Sequence, residues 1–351
     1  MNTVKKNQHY LPQFYLRNFS YQSNKKQIGI YNIISSFFHP TAPLKSQASE
    51  DFFYGRDGLI EVALSKAENQ MASLIREIIS SKKLPQKQTI KHRELLMYVA
   101  STYLRNPLVI DNIKKSNEDM NKNLLEIEPK LDINTLSDCD AMKLSLLSLS
   151  RSIDNLEDLD YKLLINKTKK PFISADFPIV KYNRFLELKK WRFGKTGLGN
   201  IGLQIFVPLN PEITIIFYDP KIYKVGLKKR DVHELTKVSD IEKLNTLQIL
   251  NCLESIFFNE QVSEIYIQNL VKKSSEFRAA NKVESEVGIL IEGDKSKMMV
   301  MTGITDCEIN LEIEGISIHS NGKKVKLDNS IAQLRTIPKK LREASKFKHR
   351  N

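Results

Sequence analysis

Apolar residues in the first half of the chain recur every three or four positions, which is the spacing of one buried stripe on a helix. This pattern predicts a helix over residues 57 to 81, with Asp57 as its N-cap. A second helix is predicted over residues 89 to 105, where Pro107 stops it. Residues 107 to 153 predict one or two further helices that are polar enough to lie on the outside. The first half therefore predicts a helical layer of four elements.

Short runs rich in Ile, Val and aromatic residues replace the helical spacing near residue 160, and such runs predict strands. An earlier run predicts a strand over residues 27 to 34, and helical spacing returns over residues 231 to 258 and 263 to 271. The predicted fold class is α+β, with a helical N-terminal layer packed on a mixed β-sheet. The later strand runs are residues 161 to 165, 172 to 174, 179 to 182, 204 to 207 and 213 to 217.

Residues 276 to 328 predict a β-rich C-terminal extension. Residues 308 to 314 alternate strictly between polar and apolar. The Asn-Gly pair at residues 321 to 322 joins the apolar runs at 316 to 319 and 325 to 327, which is a strong hairpin signal. We therefore expect an α+β domain over residues 1 to 275, followed by this β-rich accessory region. A basic helix or tail is expected over residues 329 to 351.

The segment KNQHYLPQFYLRNFS, residues 6 to 20, concentrates a His, a Pro, four aromatic residues and an Arg near one terminus. A terminal peptide stays ordered only when something ties it down, so this one is expected to dock into the core. It resembles the opening signature of the DUF4238 family, a bacterial and fungal group named only as a domain of unknown function. Three further stretches follow in that family's order, namely ASEDFFY at 48 to 54, PFISADFPIV at 171 to 180 and LNTLQILNCLESIFFN at 244 to 259.

One position departs from the pattern of that family. The family's form of the third stretch reads Ser-Asp-x-Pro, whereas this chain has Ala175 before Asp176. A serine at that position therefore has no role here. The resemblance implies a family without implying a reaction.

The composition is that of an ordinary soluble globular protein. Hydrophobic residues make up 41% and charged residues 27% of the 351 residues, which excludes bulk disorder. Charges break the apolar runs well before the ~18 residues that a membrane span needs, and no secretory segment is visible, so a cytoplasmic protein without a membrane partner is expected. Three widely spaced cysteines fit neither a disulfide framework nor a zinc site.

The net charge of +13 is concentrated at the two ends of the chain. Residues 1 to 49 contain six Lys or Arg and no acidic residue, and residues 322 to 351 contain ten Lys or Arg against two acidic residues. Basic ends can contact the phosphates of nucleic acid, or they can be solvated tails. The candidate substrate-binding cations at the C-terminal end are Lys339, Lys340 and Arg342.

His9 is the first candidate for general acid–base catalysis, because the pKa of histidine lies near neutrality. The alternative is a core imidazole that is hydrogen-bonded to the backbone. Asp176, before a Pro at a strand end, is the second candidate, with an Asx-type turn as its alternative. Glu68 on the predicted helix is the third, with a solvated helix face as its alternative. Tyr10 and Arg17, in the same segment as His9, are candidate substrate-binding groups.

The candidate residues suggest one arrangement in space. His9 and Asp176 are expected to approach to within one water-mediated contact, although they are far apart in sequence. Two carboxylates together with His9 could hold Mg²⁺ for phosphodiester hydrolysis, so Mg²⁺ is the candidate cofactor.

Three classes of function are open at this point. The favoured hypothesis is a nucleic-acid-directed hydrolase, nuclease-like and of the defence-associated kind, with nucleic acid held by the basic ends. The second is a non-catalytic module that binds nucleic acid or protein. The third is a small-molecule hydrolase or transferase. The sequence contains no G-x-S-x-G, H-E-x-x-H or paired C-x-x-C motif, so serine hydrolases and zinc enzymes have no positive support.

Overall fold

A computed structural model describes residues 6 to 192, 194 to 280, 282 to 292, 295 to 328, 330 and 332 to 348. It confirms the α+β class, since helices and mixed sheets both contribute to the core. The helices are α1 (Gln13–Leu16), α2 (Leu59–Ser81), α3 (Ile90–Leu104), α4 (Pro107–Ile127), α5 (Asp138–Leu147), α6 (Leu149–Asp154), α7 (Arg184–Leu188), α8 (Val238–Asn251), α9 (Glu264–Ser274), α10 (Ser320–Lys324) and α11 (Thr336–Lys348).

The strands form several sheets. The largest has the order β11-β5-β9-β8-β7, in which β11 and β5 are parallel and the other pairs antiparallel. A second has the order β3-β2-β12-β6, and β1 with β4, β10 with β15 and β13 with β14 form antiparallel pairs. The strands are β1 (Asn7–His9), β2 (Gln27–Asn32), β3 (Phe37–Pro43), β4 (Ser49–Asp51), β5 (Asp160–Asn166), β6 (Ser174–Ala175), β7 (Val180–Tyr182), β8 (Gln204–Asn210), β9 (Ile213–Tyr218), β10 (Tyr223–Val225), β11 (Val232–Leu235), β12 (Ser255–Phe258), β13 (Val283–Glu292), β14 (Lys295–Ile304) and β15 (Ile316–Ile318).

The five-stranded sheet is buried on both faces. Alternate residues of a strand point to opposite faces, so Ile215 joins one apolar cluster and its neighbour Ile216 joins another. The first cluster contains the buried faces of α2 and α3 and the opening peptide. The second contains buried residues of α8 and of the segment before β15. Burial on both faces explains why β9 is apolar along nearly its whole length.

The N-terminal helices follow the predicted pattern with two differences. Gly58 occupies the N-cap position of α2 with φ of 69°, and the Asp57 carboxylate instead accepts the Leu59 N–H at 3.1 Å. Residues 107 to 153 form three helices rather than one or two, because the helical run is interrupted at residues 128 to 137 and again at Ser148. Pro107, which ends α3, is also the first residue of α4, which Asn106 caps.

The helix predicted over residues 231 to 258 is wrong at both ends. Its first residues form β11, parallel to β5, and its last form β12, which lies between β2 and β6. Phe257, which fits the helical register, is a buried strand residue. An apolar run can satisfy both periods over a few residues, so tertiary pairing decides between them.

The C-terminal extension contains only part of the predicted strands: Ile316–Ile318 form β15, whereas residues 325 to 327 form no strand. The alternating residues 308 to 314 form no strand, although Leu311 and Ile313 are buried in the second cluster. Side chains satisfy their backbone: the Tyr182 hydroxyl accepts the Leu311 N–H at 3.0 Å, and the Asp240 carboxylate accepts the Glu314 N–H at 3.1 Å. Alternating burial therefore arose from docking onto the core rather than from strand pairing.

The predicted Asn-Gly hairpin is also wrong, because these two residues lie inside the short helix α10. The His319 Nδ1 atom accepts the Gly322 N–H at 3.0 Å and caps that helix. A Cβ atom at Gly322 would lie 2.5 Å from the Ile222 carbonyl oxygen. This glycine is needed for close backbone approach rather than for a turn. The hairpin of the region is β13 with β14 instead.

The basic C-terminal segment, for which a helix or a tail was expected, forms helix α11. Arg335, just before it, is 3% exposed and donates to the Asp158 carboxylate at 2.9 Å and to the Asn200 carbonyl at 2.7 Å. These contacts fix the start of α11 to the body. In the described part of the chain, no helix combines the length and apolar character needed to cross a membrane.

Candidate functional site

Strand β1 positions the first functional side chain. It pairs with β4 so that His9 lies opposite Ser49, and the neighbouring Gln8 is fully buried. The Gln8 amide oxygen accepts the Tyr54 N–H at 2.5 Å, and its nitrogen donates to the Gly55 carbonyl at 3.2 Å. Because successive strand residues point to opposite sides, anchoring Gln8 inward turns His9 the other way.

The His9 imidazole has one tautomer that satisfies its neighbours. A carbonyl oxygen can only accept, so Nδ1 donates to the Gln47 carbonyl at 3.1 Å. The Gln13 amide nitrogen can only donate, so it donates to His9 Nε2 at 2.7 Å. The Gln13 oxygen in turn accepts from Arg17 Nη2 at 3.1 Å. The i, i+4 series of His9, Gln13 and Arg17 thus forms one hydrogen-bonded chain that leaves the basic nitrogen at Nε2.

His9 faces a polar cavity of about 560 Å³, which we call the His9 cavity. Three of the site residues predicted from sequence line it, namely His9, Arg17 and Glu68. One wall is the opening segment and the other is a face of α2 whose residues recur at helical spacing. The full lining is Lys6, Asn7, His9, Gln13, Phe14, Arg17, Lys45, Glu61, Leu64, Ser65, Glu68, Asn69, Ala72 and Arg76.

Glu68 is fixed from behind by a buried cation. Arg105 Nη1 donates to Glu68 Oε1 at 2.6 Å, and the two side chains are 1% and 28% exposed, respectively. Burial opposes the charge on Arg105, but Tyr54 and Glu68 outweigh it, so the pKa of Arg105 is raised. The Tyr54 hydroxyl donates to the His9 carbonyl at 2.8 Å. Glu68 and the His9 backbone are therefore held by neighbouring groups.

Two carboxylates of α2 accompany His9 at this cavity. Glu61 and Glu68 line the same cavity as His9. Among the described residues, however, no three His, Cys, Asp or Glu side chains are close enough to hold a metal ion. The carboxylates at this cavity are placed for hydrogen bonding and charge.

Asp176 lies in a different place, in a closed region behind β12. Its side chain is 2% exposed, and its Oδ1 accepts the Leu253 N–H at 2.8 Å. Its Oδ2 accepts the N–H groups of Glu254 at 2.7 Å and Ser255 at 2.8 Å. Burial raises the pKa of Asp176, although these backbone hydrogen bonds act in the opposite direction. The carboxylate accepts backbone N–H groups, as in the Asx-type turn that was its structural alternative. Its donors, however, lie 77 to 79 residues away rather than within a local turn.

Tyr10 is not among the described residues that line the His9 cavity. Burial raises the pKa of its hydroxyl, and the charges of Asp176 and Glu50 raise it further. Its ring contacts Phe53 with centroids 5.6 Å apart. Consecutive residues thus serve two regions, with His9 on the cavity and Tyr10 on the core.

The basic residues Lys339, Lys340 and Arg342 lie on the exposed part of α11. None of the three lines the His9 cavity as it is built from the described residues. They form a separate cationic surface on a docked helix.

Sequence reasoning missed Arg105, Gln8, Tyr54 and Gln13, which hold the site in place. Arg105 carries a signal in retrospect, since a charged residue directly follows a helix whose residues are mostly buried. Gln13 lies four residues after His9 and four before Arg17, the spacing of neighbours on one helical face. Gln8 and Tyr54 give no signal before the pairing of β1 with β4 is known.

Fold and site together define an α+β protein whose opening strand and second helix enclose one polar cavity. The chain belongs to the DUF4238 family, described as proteins of unknown function, whose family model matches residues 7 to 261. This match confirms the resemblance carried by the opening segment. Comparison with curated proteins and with solved structures found no match.

Proposed function

We propose that the His9 cavity binds the phosphate group of a phosphoester and that His9 is the acid–base group for its hydrolysis. Nucleic acid is the substrate class that the basic ends favour. The observation that supports the proposal is the convergence of His9, Arg17 and Glu68 on one open polar cavity.

The charge of the cavity suits an anion. Lys6, Arg17, Lys45 and Arg76 line it together with the two carboxylates Glu61 and Glu68, which leaves 4 − 2 = +2 with His9 neutral. Lys6 also pairs with Asp51 at 2.9 Å, outside the lining. The Arg17 guanidinium offers the planar pair of donors that matches phosphate oxygens.

Phosphate binding at Arg17 would release the base. Arg17 now holds the Gln13 amide, and that amide occupies His9 Nε2. When Arg17 turns to a phosphate, the Gln13 amide oxygen loses the donor that holds it. The amide can then leave His9, and a water molecule can take its place at Nε2. Nε2 then removes a proton from this water as the water oxygen attacks phosphorus.

The remaining steps complete the hydrolysis. The bond from phosphorus to the leaving oxygen breaks, and that oxygen takes a proton from solvent through the open cavity. Arg17 and the nearby lysines stabilise the charge on the phosphoryl oxygens. Glu68, an acceptor fixed by Arg105, orients the attacking water.

The test is hydrolysis of bis(4-nitrophenyl) phosphate and of a labelled single-stranded oligonucleotide by the full chain. His9→Gln is expected to lower turnover by at least about 100-fold, the range of general acid–base catalysis. The matched control is His39→Gln, since His39 lies on β3 outside the cavity and its variant should keep full activity. Equal activity of the two variants, or no hydrolysis by the unaltered chain, would rule out the proposed reaction.

A second candidate function is sequence-independent binding of nucleic acid by α11, which the exposed cations Lys339, Lys340 and Arg342 favour. A chain cut before residue 339 keeps Arg335 and the buried Pro338, so its fold should persist. For duplex DNA, the slope of log affinity against log salt should fall in magnitude by roughly 3 to 5 on truncation. An unchanged slope would show that α11 does not contact nucleic acid.

A further inference from the structure

A second cavity, of about 710 Å³, lies where β5, β9 and β10 end near the connection between α2 and α3. It shares none of its described lining residues with the His9 cavity. We call it the Lys162 cavity. Its lining is Leu84, Pro85, Gln86, Lys87, Asp160, Tyr161, Lys162, Tyr218, Pro220, Tyr223, Lys224, Val225, Lys228, Arg230, Asp231 and His319.

The Lys162 cavity is strongly cationic. Five Lys or Arg side chains line it against Asp160 and Asp231, which gives 5 − 2 = +3 with His319 neutral. Lys87 is paired with Asp160. Within the described residues, the three cations on the exposed rim form no ion pair. These rim cations are Lys224, Lys228 and Arg230.

A buried cation lies inside this rim. Lys162 is 6% exposed, and its ammonium donates to the Leu227 carbonyl. An ammonium has three N–H donors, so one carbonyl does not saturate it. Burial lowers the pKa of Lys162, although the charges of Asp231 and Asp160 act to raise it. A buried cation is costly until an anion and further hydrogen bonds compensate it.

The inner wall of the cavity is rigid. The Tyr161 hydroxyl donates to the Pro85 carbonyl at 2.8 Å, and its ring stacks on His92 with centroids 5.3 Å apart. The Tyr223 hydroxyl donates to the Gly202 carbonyl at 3.0 Å. Fixed walls and long, exposed rim cations give a preformed cavity whose charged groups can close on a ligand.

We propose that the Lys162 cavity binds a small polyanion that carries two or more phosphate groups. An excess of three positive charges requires more than one anionic group for balance, which a single phosphate or carboxylate does not supply. A cavity of this volume is within the roughly 300 to 1,000 Å³ that small-molecule sites occupy, whereas a nucleic-acid strand needs an extended groove. The site is independent of the reaction at His9.

Calorimetric titration of the full chain with tripolyphosphate tests this inference. The variant Lys224→Gln/Lys228→Gln/Arg230→Gln changes exposed side chains only, and its affinity should fall by at least about tenfold. The variant Lys130→Gln/Lys272→Gln/Lys273→Gln removes the same charge from exposed positions outside both cavities and should bind like the unaltered chain. Inorganic phosphate should bind at least about tenfold more weakly than tripolyphosphate.

Three outcomes would overturn the inference. One is equal affinity of the two triple variants. Another is binding of a single-stranded oligonucleotide but not of tripolyphosphate, which would assign the surface to a polymer. The third is loss of tripolyphosphate binding in Arg17→Gln with retention in the rim variant, which would place the ligand in the His9 cavity instead. That third result would leave the proposed function standing, so the two proposals fail separately.

Discussion

Two carboxylates within the residues that the family model matches, Asp176 and Glu68, have opposite surroundings. Asp176 is 2% exposed, and three backbone N–H groups bind its two oxygens. Glu68 is 28% exposed, is bound by Arg105 through one oxygen and lines a cavity. The first carboxylate is closed off by the protein itself, whereas the second faces a space that a ligand can enter.

The closed region around Asp176 is a capping structure for the end of α8. Arg278 donates to the carbonyls of Ile249 at 3.0 Å and Cys252 at 3.1 Å, and Lys282 donates to the Leu250 carbonyl. Cations thus satisfy the last carbonyls of the helix, and Asp176 satisfies the N–H groups that follow. Asp176 differs from a site residue because it is buried and both of its oxygens are bound by the backbone.

The largest expected effect comes from removing the segment that touches both regions. In residues 1 to 20, Leu11, Tyr15, Leu16 and Phe19 are at most 1% exposed, and the Tyr15 hydroxyl is 2.7 Å from Ser174 Oγ. Four such side chains contribute roughly 6 to 12 kcal/mol, comparable with a whole domain's margin. The truncated chain should show no cooperative melting by circular dichroism.

A point variant in the same segment tests the same contribution to the core with a smaller expected loss of stability. Leu16→Ala should lower the free energy of unfolding by about 2 to 5 kcal/mol. Lys26→Ala, at an exposed position of the same region, should change it by no more than about 0.5 kcal/mol. Unaltered melting of the truncated chain would mean that the opening peptide is not part of the core.

The next effect separates the two carboxylates directly. Asp176→Ala leaves three backbone N–H groups without their acceptor, so it should cost at least about 3 kcal/mol of unfolding free energy. Glu68→Gln keeps the side-chain shape and should cost about 1 to 3 kcal/mol, because one charged hydrogen bond to Arg105 is weakened. Urea denaturation of both variants gives the two values.

Ligand binding should show the reverse order. Phosphate affinity per folded molecule should be unchanged in Asp176→Ala, measured at a temperature where that variant is folded, and should be altered in Glu68→Gln. A stable Asp176→Ala protein that has lost hydrolytic activity would overturn the structural assignment of Asp176.

The sequence could predict those elements whose signal is local. The stripe of α2, helix α3 and strands β5, β8 and β9 depend on spacing within one element, and all are present. The elements it missed depend on distant partners. Residues 308 to 314 need no strand partner because Tyr182, Glu187 and Asp240 accept their backbone N–H groups, and no local pattern indicates that.

The candidate site divides in the same way. His9, Arg17 and Glu68 could be proposed from residue type and position, and the structure places them on one cavity. The partners that set the chemistry of these residues could not be proposed from the sequence, because they are distant in the chain. Arg105, for example, binds Glu68 across 37 residues. The expected approach of His9 to Asp176 stays a prediction, and Asp176 is not among the described residues that line the His9 cavity.

The smallest expected effect is a change in pH dependence within the closed region. Burial, assisted by the charge of Arg278, lowers the pKa of Lys282 to about 8. Its ordinary value in an unfolded chain is about 10.4. Between pH 8 and about 10.4 the unfolded chain therefore binds more protons than the folded chain, so this group makes the free energy of unfolding rise with pH. Below pH 8 both states are protonated, and the unfavourable contribution of Lys282 is constant.

The Lys282→Met variant should flatten this rise of the unfolding free energy in urea denaturation series between pH 7.5 and 10, whereas Lys272→Met, at an exposed position, should keep it. An identical pH slope in Lys282→Met and the unaltered chain would show that the Lys282 ammonium is not held in the closed region around Asp176.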